Sequence, residues 1–166
     1  IFPWCYEMPQ TVETESRNSL NKPIHIIKAG KAELDQTAML FDLYRQFYQQ
    51  KTDVPLARKY LEQMLTTENS IIYLAMDAAG NAIGFTQLYP SYCSVEAKAI
   101  LILYDLYVKK GARKNGVGKA LMNQAMQLAK ETSASRIDLE TAIDNTSAQS
   151  LYESLGYERD IEFHKY

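Results

Sequence analysis

Apolar positions along the chain alternate between two periods. Residues 24–28 form a short β-like run, after which Met39, Leu40, Leu43, Tyr44 and Phe47 recur at helical spacing. Pro55 suits the first turn of a second helix, which Leu56, Tyr60, Leu61, Met64 and Leu65 continue. Residues 71–76 and 83–89 are rich in β-formers and flank Asp77-Ala78-Ala79-Gly80-Asn81, a turn composition that predicts an antiparallel hairpin. The dense run 100–108 (ILILYDLYV) is a further strand. Val117, Leu121, Met122, Ala125, Leu128 and Ala129 return to helical spacing, residues 131–135 break it, and 137–142 form the next strand. Asn145, Thr146 or Ser147 can cap a short helix through Leu151, Tyr152 and Leu155, with Gly156 as its stop; the chain from Tyr157 onward reads as a last strand. The order β-α-α-β-β-β-α-β-α-β has no internal repeat and mixes hairpins with crossovers. It predicts one α+β domain over residues 23–166 with some parallel pairing. Residues 1–22, polar from Gln10 onward, aperiodic and beginning without Met, read as a tail or expression remnant, with Met8 a candidate start.

Composition narrows the function classes. A length of 166 residues with 46% hydrophobic content suits a single domain with its own core. The net charge of −2, from 18 basic and 20 acidic residues, supplies no global field toward nucleic acid or anionic membrane, and neither is expected as a partner. No apolar stretch approaches the roughly 18 residues that span a bilayer, and none has secretory flanks. Cys5 and Cys93 are too few for a disulfide scaffold and lack a zinc spacing, so a reducing cytoplasm is the expected compartment and no metal is expected. Cys93 has no His nearby in sequence and reads as an inert thiol; His25 and His164 stand alone.

The chemistry concentrates where the 100–108 strand meets KKGARKNGVGKALM. Arg113, Gly116 and Gly118 are spaced Arg-x-x-Gly-x-Gly between a strand and a helix, which leaves backbone N–H groups free at the positive end of a helix dipole. Such a place binds phosphate. Gly111 and Gly116 have Walker spacing, but Val117 stands where that loop needs Lys. The dinucleotide pattern fails because Leu121 stands at its third glycine. Lys109, Lys110, Lys114 and Lys119 add local positive charge, which alone fits a solvated helix start equally well.

Residues 103–122 (LYDLYVKKGARKNGVGKALM) resemble the central motif of the GNAT superfamily of N-acetyltransferases, in which a strand ending in Val passes through Gln/Arg-x-x-Gly-x-Gly/Ala into a helix. Residues 145–157 (NTSAQSLYESLGY) are similar to the same family's downstream Asn-x-x-(Ala/Ser)-x-x-x-Tyr followed by Gly-(Phe/Tyr). Lys110 departs from the pattern, since many members carry proline at the strand end. The resemblance implies a GNAT fold, a twisted mixed sheet of about six or seven strands flanked by about four helices. It also implies acetyl-CoA as cosubstrate and a homodimer. By the same resemblance Arg113, Lys114, Asn115, Gly116, Val117, Gly118 and Lys119 hold the pyrophosphate. The backbone of Leu106, Tyr107 and Val108, splayed at a bulge, receives the thioester oxygen. Asn145 caps its helix and holds the cofactor arm or a water, and Tyr152 contacts the cofactor as the acid. Glycine at Gly116 and Gly118 keeps a Cβ out of the way of phosphate, and Arg113 and Lys119 add countercharge.

Acetyl transfer to an amine requires a deprotonated nucleophile, a stabilised oxyanion and a protonated leaving thiolate. Tyr152 is the expected acid, although a phenol near ~10 gives its proton to a thiolate near ~8.5 slightly uphill. Asp105 lies mid-strand in an apolar run, where a carboxylate needs a partner or a polar cleft. The polyamine acetyltransferases of the family carry Leu-Glu-Asp-Phe-Phe-Val where this chain has Leu103-Tyr104-Asp105-Leu106-Tyr107-Val108. Asp105 matches and Tyr104 replaces their Glu, so the base is Asp105 or an ordered water. Tyr44, Phe47, Tyr48, Asp53, Gln87 and Tyr89, with Asp105, are the expected acceptor walls, a mixture of aromatic and acidic groups that suits a cationic amine. The expected reaction is direct attack, in a ternary complex, by the primary amine of a polyamine, amino acid or related small molecule. A protein or peptide acceptor and a non-catalytic CoA sensor are the alternatives.

Overall fold

The two periods resolve, in a computed structural model that describes residues 23–161, into a five-stranded sheet with helices on both faces. Its strands are β1 (His25–Lys28), β2 (Ile71–Met76), β3 (Ala82–Cys93), β4 (Lys98–Val108) and β5 (Ile137–Leu139), in the order β1-β2-β3-β4-β5. Neighbours pair antiparallel from β1 to β4, and β5 joins β4 in parallel. The parallel pair needs a crossover, supplied by α3 (Val117–Glu131). The other helices are α1 (Leu34–Phe47), α2 (Val54–Thr66) and α4 (Thr146–Ser154).

Strand alternation sends side chains to two separate cores. Ile72, Leu74 and Phe85 face α1 and α2, where Leu40, Ala57 and Leu61 are fully buried. Ala75, Leu88, Leu101 and Leu103 face α3, meeting Val117, Leu121, Met122 and Ala125, and Tyr152 of α4 joins this second cluster. Gly84 lies where the sheet meets α3. A Cβ there would fall 2.9 Å from the Tyr107 carbonyl oxygen and 3.1 Å from Val117, so only glycine lets β3, β4 and α3 approach this closely.

Three boundaries differ from the sequence reading. The strand expected over 83–89 extends to Cys93, because Tyr89–Cys93 pair with Lys98–Ile102 of β4, and the mixed polarity of this stretch concealed its strand character. The strand expected over 137–142 stops at Leu139, where the chain turns toward the α4 cap. Residues 157–161 carry no strand and residues 162–166 lie outside the described part. The described residues therefore show five strands where about six or seven were expected. The expected N-terminal tail, residues 1–22, also lies outside it.

Candidate active site

The site grows from one irregularity in β4. Across the β3–β4 ladder Gln87 pairs with Asp105, and the next residue, Leu88, pairs with Leu103, so Tyr104 is one residue extra. This is a β-bulge, and its effect can be counted along the backbone. The Leu101 N–H points toward β5, where it donates to Arg136 O at 3.0 Å, and alternation sends the Leu103 N–H the same way. Lys109 N–H points the other way, to Ile83 O at 2.9 Å, which puts Tyr107 and Asp105 N–H toward β3 and leaves those of Leu106 and Val108 on the β5 side. Pairing with β5 ends at Leu103↔Leu139. Beyond it Leu106 and Val108 present N–H groups to an edge that no described strand covers. Thr86 locks the bulge, its buried hydroxyl donating to the Asp105 carbonyl at 2.9 Å.

β4 runs from this edge into the glycine turn. Lys114 and Gly116 take left-handed backbone, φ 63° and 79°, which aims the chain into α3. Gly116 is the N-cap and contributes no side-chain bond, so the first-turn N–H groups of α3 remain available to an anion. Nothing lies within 4 Å of a Cβ at Gly116, so backbone angle alone accounts for glycine there. Gly118 differs: its Cβ would meet Leu151 of α4 at 3.1 Å, which ties the turn to the helix carrying Tyr152. Lys114, Asn115 and Lys119 are exposed and Val117 is core. The Arg113 side chain folds back. Its Nε donates to Val108 O at 2.9 Å, and its guanidinium lies 5.8 Å from the Phe47 ring centre and 5.7 Å from that of Tyr107.

On the α1–α2 face the bulge presents Asp105. The residue is 7% exposed, and burial pushes its carboxyl up to about 6 while a hydrogen bond from Tyr44 opposes the rise. Burial, and then the Asp105 charge, raises the Tyr44 hydroxyl well above its ordinary range. Gln87, beside Asp105, is fully buried; its Nε2 donates to Ser70 Oγ at 2.7 Å and its Oε1 has no hydrogen-bond partner. Tyr89 shares a hydroxyl–hydroxyl bond with Tyr60 of α2, and its ring stands 5.7 Å from that of Tyr104. The Tyr44 ring packs edge-on against Tyr48, Phe85 and Tyr107. Asp53 is engaged differently, its side chain capping α2 by accepting from Leu56 N at 2.9 Å.

The second motif arrives from α4. Asn145 is its N-cap: Oδ1 accepts from Ala148 N at 3.3 Å and Nδ2 donates to Thr141 Oγ1 at 3.1 Å. Phe47 and Tyr48 at the end of α1 share with Ala142, Asp144 and Asn145 a cleft of about 380 Å³. Tyr152 is 8% exposed, and burial, with a smaller contribution from Tyr48, pushes its hydroxyl up to about 12. One end of the molecule thus gathers an open strand edge, an anion-ready helix start, a raised carboxyl and a buried tyrosine. Ser70 and Thr86 were not singled out in the sequence, and Tyr60 only as part of the second helix's apolar stripe; each meets its partner across elements, which spacing does not reveal. Among the described residues no group of three His, Cys, Asp or Glu could hold a metal, and no helix is long and apolar enough to cross a membrane.

Comparison with known proteins follows the same outline. Residues 37–157 match the model of the Acetyltransferase (GNAT) family. The chain is 40% identical over 143 residues to the uncharacterized N-acetyltransferase YhfO of Bacillus subtilis (strain 168), covering 86% of this chain and 95% of that protein. A crystal structure of a probable acetyltransferase superposes with a TM-score of 0.81 at 41% identity, over 86% of this chain and 95% of the other. The aminoglycoside N-acetyltransferase AAC(6′)-Iy, solved in complex with CoA, shares the fold with a TM-score of 0.74 at 20% identity, over 87% and 93% of the two chains.

Proposed function

The chain belongs to the GNAT family and is an acetyltransferase, and from that premise we propose that it moves the acetyl group of acetyl-CoA to the primary amine of a small cationic molecule. The observation that carries this reading is Asp105, a buried carboxylate within an aromatic wall, one residue from the bulge that frees the Leu106 and Val108 N–H groups. Both reactants have a place there. The uncapped start of α3, with Lys114 and Lys119, suits a pyrophosphate, and a structural neighbour solved with CoA supports the use of that cosubstrate. The Leu106 and Val108 N–H groups suit the thioester oxygen, where they would stabilise the charge that develops on attack.

Asp105 accepts the amine proton, directly or through one water, a task suited to a carboxyl near neutrality. Asp105, with the aromatic rings of Tyr44 and Tyr89 around it, offers an acceptor and π faces to the nucleophile. They favour an N–H-rich cation over an anionic acceptor. Tyr152 then returns a proton to the departing sulfur.

The test is thiol release from acetyl-CoA with spermidine, lysine, kanamycin and a short peptide as acceptors. Turnover of a free amine with inert peptide is expected; turnover of the peptide alone would replace this reading with a protein acetyltransferase, and CoA binding without turnover would replace it with a sensor. Tyr152→Phe should lower kcat and leave CoA affinity intact, and unchanged turnover would remove Tyr152 as the acid.

A further inference from the structure

The β4 bulge also decides where two consecutive side chains point. Strand alternation sends neighbours to opposite faces, but a bulge sets two residues against one and interrupts that rule. Asp105 accepts a hydrogen bond from Tyr44 of α1. Tyr104 holds its ring 5.7 Å from that of Tyr89, at 79°, and the Tyr89 hydroxyl shares its bond with Tyr60 of α2. Both Tyr104 and Asp105 therefore serve the α1–α2 face, where alternation alone would have turned one of them toward α3.

Their surroundings differ. Asp105 is 7% exposed and Tyr104 is 65% exposed, although their Cα atoms are only about 3.8 Å apart. The Tyr104 ring is braced by Tyr89 and otherwise largely open to solvent, directly beside the carboxylate. Tyr89 is a firm support, being partly buried and tied to α2 through Tyr60. Burial, and then Tyr60, lifts the Tyr89 hydroxyl above its ordinary range, so this support stays an uncharged phenol; the leading carboxylate that acts on it is Asp105. A reacting amine at Asp105 occupies that carboxylate. A second ammonium laid on Tyr104 would have to share it, whereas an apolar ring needs only the ring that Tyr104 offers.

We propose that Tyr104 is a specificity-determining residue for the acceptor, its exposed ring taking the aromatic ring of an arylalkylamine whose amino group lies at Asp105. The inference rests on the reading of the protein as a small-amine acetyltransferase with Asp105 at the reacting nitrogen. Tyr104 touches the body of the acceptor and not the reacting atoms, so it acts on the choice of amine.

The test measures kcat/KM by thiol release from acetyl-CoA with phenethylamine, ethylamine and putrescine, for wild type, Tyr104→Phe and Tyr104→Ala. Ratios between amines within one protein cancel any loss common to all three, such as a disturbed bulge. Wild type is expected to prefer phenethylamine to ethylamine. Tyr104→Ala should lower that preference about 5-fold, the scale of one aromatic pair, mainly through KM for the amine, and Tyr104→Phe should retain it. No preference in wild type, or a preference that survives Tyr104→Ala, would overturn the role of Tyr104 and leave the small-amine reading standing. A loss confined to putrescine would give the ring to a second ammonium, and that too overturns the proposal. If wild type turns over none of the three, the small-amine reading falls and the proposal falls with it.

Discussion

Asp105→Asn should make the protein more stable and less active, and the stability change should depend on pH. The carboxyl rises from 3.8 to about 6 on folding, chiefly through burial. Because the folded state holds the proton more tightly than the unfolded one, ionisation of Asp105 opposes folding. The opposition is absent below pH 3.8, grows between the two values and is complete above about 6. That rise from 3.8 to about 6 corresponds to about 3 kcal/mol at pH 7.5, and the same linkage leaves about 1 kcal/mol at pH 4.5. Asparagine keeps an acceptor for the Tyr44 hydroxyl and removes the titration. At this chain length, 3 kcal/mol corresponds to a rise in melting temperature of roughly 6–12 °C. Differential scanning fluorimetry or urea unfolding of wild type and variant at pH 7.5 and 4.5 reads both numbers. An equal gain at the two pH values would refute the reasoning, since the gain would then come from packing, and so would a loss at pH 7.5. Turnover of a protonated amine should fall by about 100-fold in the same variant if Asp105 is the base.

Thr86→Val should leave the Asp105 carbonyl without its 2.9 Å donor and loosen the bulge. We expect a loss of about 1–3 kcal/mol in urea unfolding together with a lower kcat. Asp42 is buried and accepts from Arg45, Gln46, Thr52 and the Asp53 N–H, holding the α1–α2 connection closed. Burial works against its ionisation, but these bonds outweigh it and hold the carboxyl below its usual range. Its contribution is therefore present above pH 3.8 and lost as pH falls through the lower folded value. Asp42→Ala should cost about 3 kcal/mol at pH 7 and less near pH 3, read from urea midpoints. Gly116→Ala meets no atom but must adopt φ +79°. About 1 kcal/mol of stability should be lost, with a rise in KM for acetyl-CoA that exceeds any fall in kcat.

What the sequence displayed well was local. The glycine turn, the α3 stripe and the Asn145 cap are each defined within a few residues, and each stands where spacing put it. Asp53, directly before Val54-Pro55, caps its helix as well, a local role that its reading as an acceptor wall left out. The pairings that make a site were hidden because they join distant segments. Nothing in 100–108 says that the extra residue is Tyr104, since a bulge is defined by the partner strand and so by Gln87 and Leu88. Asp105 looks anomalous in sequence, but that Tyr44 answers it depends on how α1 crosses the sheet. The strand beyond residue 89 escaped because Pro90 and Ser91 interrupt its apolar run, although its exposure alternates and it pairs with β4 as far as Cys93.

The displacements of the two titrating groups bear directly on the base and acid roles proposed for them. Asp105 rises to about 6, where a carboxylate can take an amine proton near neutrality, while Tyr152 rises to about 12 and stays protonated at any working pH. The acid's displacement looks unhelpful at first, because transfer from about 12 to an aqueous thiolate near 8.5 is uphill by about 5 kcal/mol. That comparison uses the wrong reference. A thiolate formed against the same apolar wall is desolvated as the phenolate is, and burial raises both, so the difference between them shrinks. A tyrosine that is a poor acid toward water and a competent one toward a neighbouring thiolate gives up its proton only when the C–S bond is breaking.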